Sequence, residues 1–440
     1  MLEFIGHITE NIETCFYHNL TWSMVLKTYW FLFFVEFPRY YLLELVLMIR
    51  GKILYWQKLR KKNVARFKLH AEHPFISIIV PGKNEGKDVY RLLRSLQEQT
   101  YKNFEVIIVD DGSDDETPLI CADFEKNGLI DRYLRLTSSG GKASAANYGM
   151  FYARGKYIIH LDADSSLDRT AIEDILIPFY YDTRIKGVGG CVKVRNGDES
   201  LCASMQQLEY LKTIQVGRMV TSQLGIYHVI SGAFGAFDAD VIRRVGCWDI
   251  GPGLDGDITQ KIRKAGYRVH FAEDAICLTN VPTSWRKLAR QRLRWCKSLV
   301  RFRLRKHRDI LEPTKNFSFS NFISNIDNIV YDCVMNYIWF FYIITLVFSN
   351  TDNLMEVLVI GWLIRFFFAI VAFMVIMIVS ERSREEMRLA LLLPFQTFYT
   401  GYFLRVVRLV AHTMEIFFFS SYNDSWNPKK TSAVARMEGI

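Results

Sequence analysis

The chain has 440 residues, 50% of them hydrophobic and 14% aromatic, and carries 55 Lys+Arg against 46 Asp+Glu for a formal net charge of +9. That length holds more than one core, and a mean hydropathy near zero hides a split between apolar, aromatic-rich ends and a middle of globular composition. Eight cysteines with no C-x-x-C spacing argue against a zinc site or a disulfide framework and suit a reducing compartment.

The first residues are acidic and polar (Glu3, Glu10, Glu13), unlike a secretory signal peptide. Residues 20–48 are aromatic and aliphatic, interrupted by Lys27, Glu36, Pro38, Arg39 and Glu44. A spanning helix needs about 20 mainly apolar residues, so this stretch supplies one imperfect span, or a span plus an interfacial helix. A basic cluster follows (Arg50, Lys52, Lys58, Arg60, Lys61, Lys62, Arg66, Lys68), and a second runs from 286 to 308. Nucleic acid is one partner for such patches. The flanking apolar spans favour a cytosolic membrane face, with no nucleic acid.

From residue 75 the pattern becomes strand, loop, helix. An apolar strand over 75–80 ends at Pro81-Gly82-Lys83-Asn84-Glu85, and a helix follows over 88–100. A second strand over 104–109 ends in Asp110-Asp111-Gly112-Ser113. A helix over 117–126, a strand over 132–136 and a helix after Gly140-Gly141-Lys142 come next. Strands alternating with helices predict a doubly wound, mostly parallel α/β sheet. Ligands gather at the carboxyl ends of such strands.

Lys156-Tyr157-Ile158-Ile159-His160-Leu161-Asp162-Ala163-Asp164 reads as a short buried strand running out into two carboxylates. In extended backbone Asp162 and Asp164 project to one side. Together they can hold a divalent cation whose shell diphosphate oxygens complete. A solvated pair opening a loop is the plainer alternative. Three polar loops meeting at one sheet edge favour a site.

Residues 188–194 read as another strand and 199–223 as helical. The Gly-punctuated run 229–237, with Ser231 and Gly232, permits close approach of a ligand or makes a tight turn. Asp255 precedes a helix over 258–265 in a Gly-flanked loop, free to face a ligand, and Asp257 fits an N-cap. On the basic helix over 284–308, Gln291 and Trp295 share a face with Arg294 beside them. Arginine clamps phosphate oxygens, and tryptophan offers a flat face to a sugar ring. The remaining cations suit an interfacial amphipathic helix. Further spans are expected at 329–348, 354–379 and 389–419, the last interrupted by Pro394, Arg405 and Arg408. Asp332 and Arg365, in or beside spans, mark a polar path or an internal ion pair.

Taken in this order and spacing, the motifs resemble the processive family-2 glycosyltransferases, the membrane synthases of cellulose, hyaluronan, chitin oligosaccharides and poly-N-acetylglucosamine. The resemblance covers residues 75–303 plus the flanking spans and is most like the poly-N-acetylglucosamine and hyaluronan type. It implies a cytosolic GT-A domain flanked by transmembrane and interfacial helices, in a multi-pass protein of the inner or plasma membrane. The division expected is 1–68 N-terminal membrane region with basic stop, 69–283 transferase domain, 284–326 interfacial helices, 327–420 C-terminal spans and 421–440 polar tail.

The same resemblance implies a UDP-sugar donor and a polysaccharide acceptor. Pro81, Asn84, Glu85 and Asp111 would hold the uridine, with Lys142 and Asp162 lining the nucleotide pocket. Asp164 with Asp162 would ligate Mg2+ or Mn2+, and Arg292 and Arg294 would act at the diphosphate. Asp255 would be the general base, with Ser231, Gly232, Asp257, Gln291 and Trp295 on the acceptor side. Accessory or co-polymerase subunits are further partners the resemblance allows.

Three places depart from the family pattern. Gly253-Leu254-Asp255 stands where members commonly show Thr-Glu-Asp. Gly82-Lys83 replaces a small-plus-aromatic pair. Only the tail segment with Trp426 and Lys429 could stand for a loop that closes over the nucleotide. Two rival readings remain: a transferase adding one sugar to a membrane lipid, of the ceramide-glucosyltransferase type, and a membrane translocation subunit with an inactive transferase domain.

Overall fold

The computed structural model describes residues 22–251, 253–313, 317–423 and 428–437. The chain forms two compact units. One joins the N-terminal residues up to Lys52 with Val330–Leu409, and the other joins Ile53–Ile329 with the chain from Val410 onward.

The second unit is built on an eight-stranded sheet: β1 (Ile76–Gly82), β2 (Phe104–Asp110), β3 (Arg132–Arg135), β4 (Tyr157–Leu161), β5 (Ser166–Leu167), β6 (Ile185–Val194), β7 (Phe234–Asp238) and β8 (Arg268–Thr279), in spatial order β3-β2-β1-β4-β7-β6-β8-β5. The neighbours β3, β2, β1 and β4 are all parallel, as are β6 and β8. β7 runs antiparallel between β4 and β6, and β5 antiparallel on β8. The sheet is thus mostly parallel, with an antiparallel strand, β7, in its middle where the sequence pattern of 229–237 suggests a ligand approach or a tight turn.

β1, β2 and β4 are mostly apolar, with buried Ser77, Glu105 and His160 among them, because both sheet faces are covered. Ile76, Ile78 and Val80 enter one core with Leu92, Leu93 and Leu96 of the helix Gly86–Gln97. Ile79 and Val109 face the helix Lys142–Tyr152, where a Cβ on Gly149 would lie 2.8 Å from Ile79 Cγ2. Glycine there lets the helix lie close to the sheet.

The helix Tyr55–Glu72 was expected within the N-terminal membrane region, but it belongs to the sheet unit. Ala65 and Leu69 are buried in its core, Lys62 reaches Asp174 (2.9 Å) and Asp274 (2.5 Å), and Arg66 reaches Glu173 (2.7 Å). Lys62 and Arg66 of the basic stop are therefore matched to acids of the folded domain.

In the other unit, Leu354–Val379 and the Val330–Ser349 part of the helix Phe319–Ser349 are apolar. Both complete helices are long and apolar enough to cross a membrane by length and composition. The expected span at 389–419 is not one regular helix. It divides into Met387–Leu392, Leu393–Phe398, Tyr399–Phe403 and Leu404–Phe418. Pro394 lacks the N–H a continuous helix would use. The charges pair internally: Glu36 accepts from Arg365 (3.1 and 3.2 Å) and Arg405 (2.7 Å), and Arg408 faces Asp332 at 3.5 Å. Buried charges in apolar surroundings persist when paired in this way.

Candidate active site

The site gathers where β1, β2 and β4 end. β1 extends through Pro81 and Gly82, paired with Val109 and Asp110. Asn84, at φ 60°, then joins the two loops: its backbone N–H donates to Ser113 Oγ (2.9 Å) and its side-chain oxygen accepts from Asp114 N (3.1 Å). Asp111, 5% exposed, accepts from Ser139 Oγ (2.6 Å), Gly140 N (2.8 Å) and Gly141 N (2.9 Å). Its carboxylate thus shapes the glycine turn that starts the helix bearing Lys142. Thr431 of the helix Lys429–Met437 donates to Gly140 O at 3.2 Å. Lys429 opens that helix, and Trp426 lies outside the described residues.

Asp162 and Asp164 do not lie in extended backbone as the sequence suggested. β4 ends at Leu161, and Ser165 N donates to Asp162 O (3.1 Å), closing a turn. Within it the two acids meet different surroundings. Asp162 is bound by Lys142 Nζ, with both side chains about a third exposed (32% and 34%). Burial would raise the Asp162 pKa, but the charges of Lys142, His160 and Arg294 bring it down. Asp164 Oδ2 meets Thr279 Oγ1 at 3.4 Å, while its buried Oδ1 has no partner among the described residues. Burial and the Asp162 charge push its pKa up to about 6. Glu85 is pushed up to about 7 by burial, then by Asp164, Asp88 and Asp162. Arg195, which no motif pointed to, ties this turn to β8 through Asp164 O (3.1 Å), Ser166 Oγ (2.9 Å) and Leu278 O (2.7 Å).

Asp255 lies in a helix rather than the loop expected. Gly253, at φ 91°, turns the chain, so the helix begins at Leu254 and Asp255 falls in its first turn. A carboxylate there is favoured by the helix N-terminus. Its buried Oδ1 has no partner among the described residues. Burial raises its pKa, Lys142 opposes the rise and Asp162 adds to it. Gly232 backs it closely: a Cβ there would sit 3.0 Å from Asp255 Cγ and nearer still to one oxygen. Lys142 feels Asp162, Asp255 and Asp164, which raise its pKa against the opposing effect of burial. Lys142 thus bonds Asp162 directly and feels the charges of Asp255 and Asp164.

Asp257, expected on the acceptor side or as an N-cap, is neither. It sits inside the helix Leu254–Lys264, where His307 Nε2 meets its Oδ1 (2.7 Å) and Lys306 Nζ donates to its Oδ2 (2.8 Å). Both oxygens are taken, and its pKa is held below the usual carboxylate range because His307 and Lys306 overcome the effect of burial.

The helix Trp285–Val300 places Arg292 and Arg294 differently. Arg292 donates to Glu209 (2.9 Å) and lies over the Trp295 ring, 4.4 Å from its centroid. It is therefore committed to holding the indole, which remains 40% exposed. Arg294 is the arginine whose charge reaches Asp162. The buried Gln291 Oε1 has no partner among the described residues.

The residues present fit a divalent cation. Asp164 offers a buried, unpartnered carboxylate oxygen beside Asp162, a hard donor set of the kind Mg2+ and Mn2+ take. Among the described residues no group of three or more His, Cys, Asp or Glu is placed to hold a metal, so phosphate oxygens would have to complete the shell.

The family model for glycosyl transferase family 2 matches residues 77–246. A poly-beta-1,6-N-acetyl-D-glucosamine synthase of Staphylococcus epidermidis is 31% identical over 227 residues, covering 51% of this chain and 55% of that protein. The synthase of the same name from Staphylococcus aureus is 29% identical over 257 residues, covering 58% and 61%. The chain thus spans little more than half the length of the curated relatives it matches. A mannosyltransferase from Pyrobaculum calidifontis, solved with GDP-Man and Mn2+, superposes with a TM-score of 0.56 at 19% identity, over 84% of this chain and 99% of that one. That likeness establishes a GT-A-like fold.

Proposed function

We propose, for a chain whose residues 77–246 are a glycosyl transferase family 2 domain, that it transfers a sugar from a UDP-sugar to the end of a growing polysaccharide at a membrane. The names of its relatives make N-acetylglucosamine the first donor sugar to try. One observation carries the reading. Two buried carboxylate oxygens, Asp164 Oδ1 and Asp255 Oδ1, have no partner among the described residues, and the charges of both acids reach one lysine, Lys142. Left empty, such an arrangement is costly. It fits a ligand bringing both a diphosphate and a hydroxyl.

In the reaction, the bond from the donor's anomeric carbon to the diphosphate oxygen breaks. A bond from an acceptor hydroxyl oxygen to that carbon forms, and the hydroxyl proton passes to the Asp255 carboxylate. General-base help of this kind contributes about 10²–10⁴-fold in rate. Lys142 and Arg294 offset the charge that develops on the departing UDP. A divalent cation held by Asp164 and Asp162 would add Lewis-acid stabilisation of that leaving group. One base and no covalent nucleophile imply direct displacement with inversion. Trp295, held by Arg292, would carry the acceptor sugar on its exposed face. Asp111 would act by shaping the Gly140–Gly141 turn against the nucleotide.

Incubating the full chain in membranes with radiolabelled UDP-N-acetylglucosamine, UDP-glucose or UDP-glucuronate, and sizing the product, tests this. A ladder or high polymer with UDP release is expected. A single lipid-extractable product would instead point to one-sugar transfer. Recovery of polymer on the far side of sealed vesicles tests export by the same chain.

A further inference from the structure

The backbone beneath the proposed base carries a conflict. A Cβ at position 232 would collide with the Asp255 carboxylate, so any side chain there would displace the proposed base. Glycine is also the residue least able to hold its own conformation. A loosely held Gly232 would let Asp255 drift, and displacement of a reacting group by about 1 Å costs on the order of 100-fold in rate.

The chain supplies a restraint from the neighbouring strand. His160, 1% exposed on β4, lies with Nδ1 2.7 Å from the Gly232 carbonyl oxygen. A carbonyl only accepts, so Nδ1 carries the hydrogen. The imidazole is steadied on another side by Trp248, with ring centroids 5.2 Å apart. The next carbonyl, Ala233 O, accepts from Asp162 N at 3.4 Å and Ser165 Oγ at 3.5 Å. Two successive carbonyls are thus tied to the segment that bears the metal-binding acids.

We propose that His160 is a positioning residue for sugar transfer: its Nδ1–H pins the Gly232 carbonyl and so holds the surface against which the Asp255 carboxylate rests. The proposal rests on Asp255 being the base. It links β4, which leads into the turn of donor-side acids, to the helix Leu254–Lys264, which bears the proposed base, through one peptide group. The residue next to an acidic motif thereby acquires a role that neither Asp162 nor Asp164 performs.

Three substitutions separate this role from packing. His160→Asn places an amide N–H where Nδ1 was. His160→Leu fills the space without a donor. His160→Gln keeps polarity but reaches past the Gly232 carbonyl. In UDP release by the full chain, His160→Leu and His160→Gln are expected to lose about 10–100-fold in kcat with donor KM within about threefold. His160→Asn should retain kcat within about threefold. If His160→Leu does not fold, the Asn–Gln contrast alone decides the matter. A wild-type kcat in Leu or Gln, an Asn variant as slow as Gln, or a donor KM rising in step with the fall in kcat would overturn the proposal. Asp255→Asn, assayed in parallel, separates the two failures. Inactive Asp255→Asn with wild-type His160→Leu overturns the positioning role alone. Active Asp255→Asn removes the base, and the positioning role with it.

Discussion

Asp255 and Asp257 stand two residues apart in one helical turn, and the fold treats them in opposite ways. Asp257 has both oxygens taken by Lys306 and His307 and its pKa lowered. Asp255 keeps a buried oxygen without a partner among the described residues and its pKa raised, with burial the leading cause. The same chemical group, within one turn, is a fastening in one case and the proposed reagent in the other. The difference lies in whether cations from a distant segment bond it directly: Lys306 and His307 do so at Asp257, whereas Lys142 reaches Asp255 only through its charge.

The largest effect expected is in Asp255→Asn. UDP release should fall about 10²–10⁴-fold, while the thermal melting midpoint stays level or rises, because an unsatisfied buried charge has been removed. Loss of stability along with loss of rate would break the contrast. Asp257→Asn should do the reverse. Breaking a buried ion pair costs about 3–5 kcal/mol. Asp249, which also accepts from Lys306, should hold the loss near the lower end. Chemical denaturation reads that loss, and the specific activity of the folded fraction should stay near wild type.

Titration sharpens the same comparison. Asp257 has a depressed pKa, so its stabilisation is present above the ordinary carboxylate value of about 3.9 and is lost as pH falls through its lower folded value. Asp255 has a raised pKa and must be ionised to accept a proton, so rate falls with decreasing pH before that stabilisation is lost. A window should therefore exist in which the protein is folded and inactive. Parallel pH–rate and pH–melting curves that fall together would contradict this.

Asp164→Asn should weaken UDP binding in Mn2+ at least tenfold and abolish the difference between calorimetric titrations with and without the ion. The smallest effect belongs to Arg292→Ala, which frees Glu209 and the Trp295 indole. Acceptor KM should rise several-fold, consistent with about 1 kcal/mol for a stacked guanidinium, with donor KM unchanged. A larger change in donor KM would place Arg292 at the diphosphate after all.

Much of the donor half was legible in the sequence. β1, β2 and β4 are short apolar runs that stop at polar loops, and strand alternation with helices leads to a parallel order. The acceptor half was less so. β7 interrupts the parallel order as an antiparallel strand, and its glycines fit a ligand approach or a tight turn as well as a strand. β8, a 12-residue strand, passed unnoticed because its apolar and polar residues follow no single period. Local backbone also misled. Asp162 and Asp164 close a turn, and Asp255 enters a helix one turn early because Gly253 adopts a positive φ. Arg195 and His160 offered no pattern of their own, since each acts on backbone carbonyls far along the chain.

By itself the sequence determined which side chains stand at strand ends, because apolar runs, glycine turns and acidic loops are local patterns set by backbone sterics and burial. Only tertiary structure decided which of those side chains are spent on structure. Lys306 and His307 lie 49 and 50 residues from Asp257, and Arg292 lies 83 from Glu209. Ionic pairing in a protein interior depends on distance in space, and chain packing brings one set of acids its cations while leaving Asp164 and Asp255 each with a buried oxygen unbonded among the described residues.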